Sequence, residues 1–189
     1  MKRYLIAVLF LLGLASPVAA QEVLFSDLSD STPGRCFSVA RSVIAADTLT
    51  IGIESGFDPK TWQNIACRAS TGSFSARTAG DTFMVTITAP PGRTIARVHY
   101  EQDGFRFLER SLYWYAQGTG SLVVNGAAQA YTFQNPTLVK TATVNAEVAH
   151  VLVTLSLQAG RSTFSPRVTA PPGSATIEVT HAVIRVEYE

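Results

Sequence analysis

Thr82-Phe83-Met84-Val85-Thr86-Ile87-Thr88-Ala89, followed at once by Pro90-Pro91-Gly92, is the stretch that decides the fold. On an extended chain Phe83, Val85, Ile87 and Ala89 share one side, and Thr82, Met84, Thr86 and Thr88 share the other. That period of two belongs to a half-buried strand. Neither proline can donate to a ladder and Gly92 tolerates a positive φ, so the strand must stop. The next one, about Thr94 to Gln102, begins after a forced break.

The same pattern continues on both sides of this stretch. From Phe74 onward the chain is a run of short alternating segments bounded by Gly, Pro or Asn, the spacing of an all-β sandwich or barrel. In Ser121–Phe133, Asn125-Gly126 suits both central positions of a type I′ turn and predicts a tight hairpin. In Ala146–Leu157, Val151, Val153, Leu155 and Leu157 form a face to be buried, opposite Val148, His150, Leu152 and Thr154. In Ala175–Tyr188, Ile177, Val179, His181 and Val183 keep one phase and Ile184, Val186 and Tyr188 the other, which predicts a β-bulge near Val183-Ile184.

One block recurs. Ala79-Gly80-Asp81-Thr82-Phe83 leads to Thr88-Ala89-Pro90-Pro91-Gly92, and Ala159-Gly160-Arg161-Ser162-Thr163-Phe164 leads to Thr169-Ala170-Pro171-Pro172-Gly173. We read this as one strand–turn–strand device used twice, at equivalent ends of two facing sheets. The alternative is that Pro-Pro-Gly simply ends strands well. Residues 21–72 are less regular. Asp58 before Pro59 suits a helix start, with one helical turn running through Trp62 and Ile65. Cys36–Ala46 carries helical spacing, but its β-branched content and the strand-like Thr48–Ile53 beside it favour strand.

Met1-Lys2-Arg3, the apolar run Tyr4–Leu14 and the small residues Ser16-Pro17-Val18-Ala19-Ala20 form a three-part export signal cut after Ala20. Its apolar core of about 11 residues is short of the roughly 20 that span a bilayer, so the expected product is secreted or periplasmic and not membrane-spanning. Removing Lys2 and Arg3 leaves 13 of the 15 basic residues against 14 acidic ones, a net charge near −1. The basic residues are scattered singly, which argues against a nucleic-acid partner. Residues 21–189 suffice for one domain, which at that length buries roughly 70% of its unfolded surface. The expected fold is thus a single antiparallel β-sandwich, jelly-roll-like or Ig-like.

Charged residues are 15% of the chain, against a typical ~25%, so Ser, Thr, Gly, Gln and Asn must supply most of the wetted surface. The two cysteines, Cys36 and Cys67, have an exported context and no redox spacing, which predicts one disulfide. Closing a loop of about 32 residues contributes on the order of 3–4 kcal/mol in the chain-entropy model.

For function, the unusual segment is Tyr100–Tyr115, where Phe105, Phe107, Tyr113, Trp114 and Tyr115 are interleaved with Glu101, Asp103, Arg106, Glu109 and Arg110. Tyr113 and Tyr115 point to one side of a strand and Trp114 to the other. One side can enter the core while the opposite one offers an aromatic platform, with Glu109 and Arg110 beside it for hydroxyl groups. The leading expectation is therefore a non-enzymatic binding or adhesion module for a glycan or cell-surface partner. Core packing is the competing use of the same aromatics.

A second expectation, from the low surface charge, is a self-associating structural or envelope protein, an oligomer. A third is a polysaccharide-degrading enzyme using two of Glu101, Asp103 and Glu109. His99, His150 and His181 lack the close pairing of a zinc or copper motif, and Gly118-Thr119-Gly120 lacks the strand–helix context of a phosphate loop, so no metal or cofactor is expected.

Overall fold

The computed structural model describes residues 23–31, 36–54, 57–58, 63–64, 67–71, 77–109, 113–161 and 173–189, with the backbone alone at 57–58 and 63–64. All regular structure in them is strand: β1 (Leu24–Asp30), β2 (Phe37–Ala45), β3 (Thr48–Ile53), β4 (Phe57–Asp58), β5 (Gln63–Asn64), β6 (Arg68–Thr71), β7 (Arg77–Thr88), β8 (Ile95–Leu108), β9 (Trp114–Val124), β10 (Ala127–Phe133), β11 (Leu138–Ala146), β12 (Val148–Arg161) and β13 (Ala175–Tyr188). The first sheet runs β1-β7-β12-β9-β10. The second runs β11-β8-β13-β3-β2, with β6 also pairing β13. The sheets pack as an antiparallel β-sandwich, as the alternating pattern predicts.

The interior is the predicted set of alternate residues. Phe83, Val85 and Ile87 on β7, Ala89 just after it, and Val151, Val153, Leu155 and Leu157 on β12 are buried, and they meet Val98 and Tyr100 on β8 and Ile177 and Ile184 on β13. Between β7 and β8 the Pro90 carbonyl accepts the Arg93 N–H at 3.0 Å, with Gly92 at φ 77°. That left-handed value costs a glycine nothing. Asn125 and Gly126 have φ of 49° and 84° and join β9 to β10 with Val124 opposite Ala127, the predicted hairpin.

Three expectations change. The bulge on β13 falls at Thr180, because Val179 pairs with Gly104 and His181 with the adjacent Asp103. The inward row therefore shifts from Ile177 and Val179 to Ala182, Ile184 and Val186, three residues before the expected place. Asp58, expected to precede a helical turn, pairs with Gln63 in a two-stranded ribbon, and residues 59–62 lie outside the described residues. The strands after the two Pro-Pro-Gly motifs, β8 and β13, are neighbours in one sheet and not equivalent ends of two. The export signal of residues 1–20, Trp62, Ile65, Arg110 and the Phe164–Pro172 half of the repeat lie outside the described residues.

Within residues 36–46, Phe37–Ala45 do form a strand, β2, and its helix-like spacing has a local cause. Between the pairs Ser38–Gly52 and Val43–Thr50 the register slips, and the Ser42 hydroxyl donates back to the Ser38 carbonyl at 2.8 Å. At the head of this strand Cys36 and Cys67 form a disulfide across 31 residues of sequence, and both are fully buried. A disulfide is compatible with an extracellular location. Among the described residues no helix is long and apolar enough to cross a membrane.

Candidate functional site

The sandwich separates the aromatic segment, because β8 and β9 lie in different sheets. Along β8, Val98, Tyr100 and Gln102 point inward, and His99, Glu101, Asp103, Phe105, Phe107 and Glu109 occupy the outward phase of the second sheet. Phe105 and Phe107 are 45% and 52% exposed. Successive outward residues on a strand stand roughly 6.5–7 Å apart, so the rings form adjacent steps of one surface.

Polar groups surround these steps in bonded pairs. Opposite Phe105 stands Glu178, whose carboxylate meets Arg68 at 3.6 Å. Opposite Phe107 stands Thr176, hydrogen-bonded to Ser70 at 2.8 Å. Glu109 accepts the Ser174 hydroxyl at 3.3 Å. On the other side, the Asp103 carboxylate accepts the Thr137 hydroxyl at 2.5 Å and the Gly104 N–H at 2.8 Å. Those two bonds, with the nearby His181, hold its carboxyl below the ordinary Asp range.

The other aromatics go elsewhere. Trp114 is 3% exposed within the core, so it presents no face to a ligand, and its Nε1 abuts Gly173. Tyr113 is half-buried against the same core. Tyr115 is half-buried on the outer face of the first sheet, its ring over Gly160. A single platform of five rings is therefore not formed; Phe105 and Phe107 remain together. Arg106 is exposed and donates to Gln134 at 3.5 Å.

Glu101 and Asp103 share the outward phase of β8, and Glu109 follows its end. Glu101 pairs with Arg185 at 3.6 Å. The histidines are apart: His99 bonds Thr141 at 2.9 Å, His150 bonds Thr86 at 3.2 Å, and His181 stands opposite Asp103. No group of three or more His, Cys, Asp or Glu side chains fit to hold a metal occurs among the described residues.

The first sheet offers a surface of opposite character, which the sequence reading missed. Thr82, Thr154, Ser121 and Ala130 stand in one row across β7, β12, β9 and β10, and Gly80, Ser156, Thr119 and Thr132 in the next. These rows floor a groove of about 770 Å³, lined also by Ser31 and Asp81. The alternating threonines of β7 were its only trace in the sequence; alignment across four strands needs the register. The two outer faces thus differ in charge. The groove floor carries none, whereas the second sheet displays the ladder Arg97–Glu187 (3.0 Å), Arg185–Glu101 and Arg68–Glu178.

No family model matches the chain, and no curated protein matches it. Among solved structures it is similar to one described as TmCBM61 in complex with beta-1,4-galactotriose, at a TM-score of 0.30 and 8% identity over 86% of this chain and 88% of that one. A likeness at that TM-score carries no argument here.

Proposed function

We propose that this chain is an exported, non-enzymatic binding module for a glycan, with Phe105 and Phe107 as the stacking surface. The observation that carries the reading is their placement: two rings on consecutive outward positions of β8, 45% and 52% exposed. Burying exposed aromatic area against the C–H face of a sugar ring is favourable, and the polar groups at the rim, Glu178–Arg68 and Glu109–Ser174, suit a ring's hydroxyls. The test is a glycan array probed with residues 21–189 and with Phe105→Ala/Phe107→Ala. Binding that drops at least tenfold in the double variant supports the reading. Absence of binding to any glycan, or binding equal in both proteins, overturns it.

The groove of the first sheet favours a second reading, in which the same kind of ligand lies on the other face. Its hydroxyl and backbone lining suits a neutral polyhydroxylated chain, which needs many hydrogen bonds and no counter-charge. Ser156→Lys, placed on the groove floor, separates the two: loss of glycan binding there, with Phe105→Ala/Phe107→Ala neutral, assigns the groove.

A further inference from the structure

The strands that end the two long sheet orders, β1, β10, β11 and β2, are not treated alike. Each sheet edge exposes unpaired N–H and C=O groups, which proteins normally blunt with charges, bulges or covering groups. The edge strand β1 slips register between Ser26 and Ser29, with Asp27 at φ 53°. On β2 there is the slip between Ser38 and Val43, and Asp30 takes the Val39 N–H at 3.3 Å. On β11 the register slips after Thr143, Asn145 has φ 52°, and the Gln129 amide covers the Thr141 carbonyl at 2.9 Å.

The strand β10 has none of these devices. Ala127-Ala128-Gln129-Ala130-Tyr131-Thr132-Phe133 contains no charge and no proline, and pairs with β9 without a slip from Ala127–Val124 to Phe133–Gly118. Because the Asn125-Gly126 turn makes Val124 and Ala127 a hydrogen-bonded pair, alternate residues bond inward from there. The N–H and C=O groups of Ala128, Ala130 and Thr132 therefore point out of the sheet, and no described residue bonds to them. The Lys140 ammonium is turned onto the Tyr131 ring at 5.6 Å.

We infer that the β10 edge pairs with β10 of a second copy of this chain, antiparallel about a two-fold axis through Ala130. That register uses the whole strand. It sets Ala130 against itself, Ala128 against Thr132, Gln129 against Tyr131 and Ala127 against Phe133, so small side chains meet larger ones and no like charges oppose. An antiparallel pair of identical strands closes on itself, which gives a dimer and not a fibre. Two five-stranded sheets become one of ten strands (5 + 5). The two hydroxyl-floored grooves, each lined in part by Ala130 and Thr132, come to lie side by side. The inference is independent of which face takes a glycan.

Sedimentation velocity on residues 21–189 tests it across a hundredfold range of concentration. The expected result is a monomer–dimer equilibrium. Ala130→Pro removes an N–H that points to solvent in the monomer, a substitution edge strands tolerate, and should weaken dimerisation at least tenfold with the β-sheet circular dichroism unchanged. Ala130→Lys, exposed in the monomer, places two ammonium groups at the axis and should do the same even if the proline variant folds poorly. Under oxidation, Ala130→Cys should cross-link to a dimer and Thr143→Cys on β11 should not. A strict monomer, a dimer that survives Ala130→Lys, or equal cross-linking at both positions overturns the inference.

Discussion

The carboxylate of Asp81, on β7 of the first sheet, accepts the backbone N–H of Phe37, on β2 of the second, at 3.2 Å. The same oxygen takes the Cys36 N–H at 3.3 Å, and its twin takes the Ser31 hydroxyl and the Thr82 N–H, both at 2.7 Å. Cys36 and Phe37 are fully buried, so no water could serve their N–H groups. Asp81 occupies the inward phase of β7, one step before Phe83, and there it joins the two sheets beside the disulfide.

Asp81→Ala should therefore lower the unfolding free energy by about 2–4 kcal/mol, because it leaves two buried donors without an acceptor. Urea denaturation measures this. A loss below about 1 kcal/mol would mean that the clasp contributes nothing beyond an exposed hydrogen bond.

Replacing both cysteines, Cys36→Ala with Cys67→Ala, should cost on the order of 3–4 kcal/mol by releasing the loop in the unfolded chain. Thermal unfolding of this variant, set beside the reduced wild-type protein, checks it. The two should agree, because in each case the same loop is released.

Alkali should unfold the protein before it unfolds a Tyr131→Phe variant. Burial pushes the Tyr131 phenol up to about 12 from an ordinary 10.0, and burial also raises Tyr100, whose ring lies 6.4 Å away. Between those values the unfolded chain has lost the proton and the folded chain still holds it. The stabilisation is thus complete below about pH 10 and is lost as pH rises towards 12, about 2–3 kcal/mol for Tyr131. Unfolding curves taken from about pH 9 to about pH 12 should fall steeply for the wild type and less so for the variant.

Trp114→Ala and Phe107→Ala should separate by their effect on stability. Trp114 is enclosed and its removal should cost about 3–5 kcal/mol, whereas Phe107, 52% exposed, should change stability by less than about 1 kcal/mol. Differential melting of the two variants reads this directly. Equal losses would mean that Phe107 is packed and is no platform.

Much of the architecture is legible in the residue pattern alone. The rows Phe83–Ala89 and Val151–Leu157 and the Asn125-Gly126 hairpin are local in their causes, period two and a positive φ, and the Cys36–Cys67 bond follows from there being just two cysteines in the chain. The bulge on β13 does not show in hydropathy, because Val183, although apolar, stands in the outward phase opposite Glu101. The aromatic segment was over-read for a related reason. Phe107 and Trp114 are close in sequence, yet the chain changes sheets between them.

By itself, the sequence determined that the chain from Phe74 onward alternates, where β7 and β9 turn, and which side of β7 and β12 is apolar, because these depend on residue spacing and backbone torsions alone. Only the tertiary structure decided which strands lie side by side. That choice exposes Phe105 and Phe107 while enclosing Trp114, aligns the threonines and serines of four strands into one groove, puts Asp81 against the Phe37 amide, and leaves β10 as a bare edge. Each of these is a relation between segments far apart in the chain, set by packing and register, which no local pattern encodes.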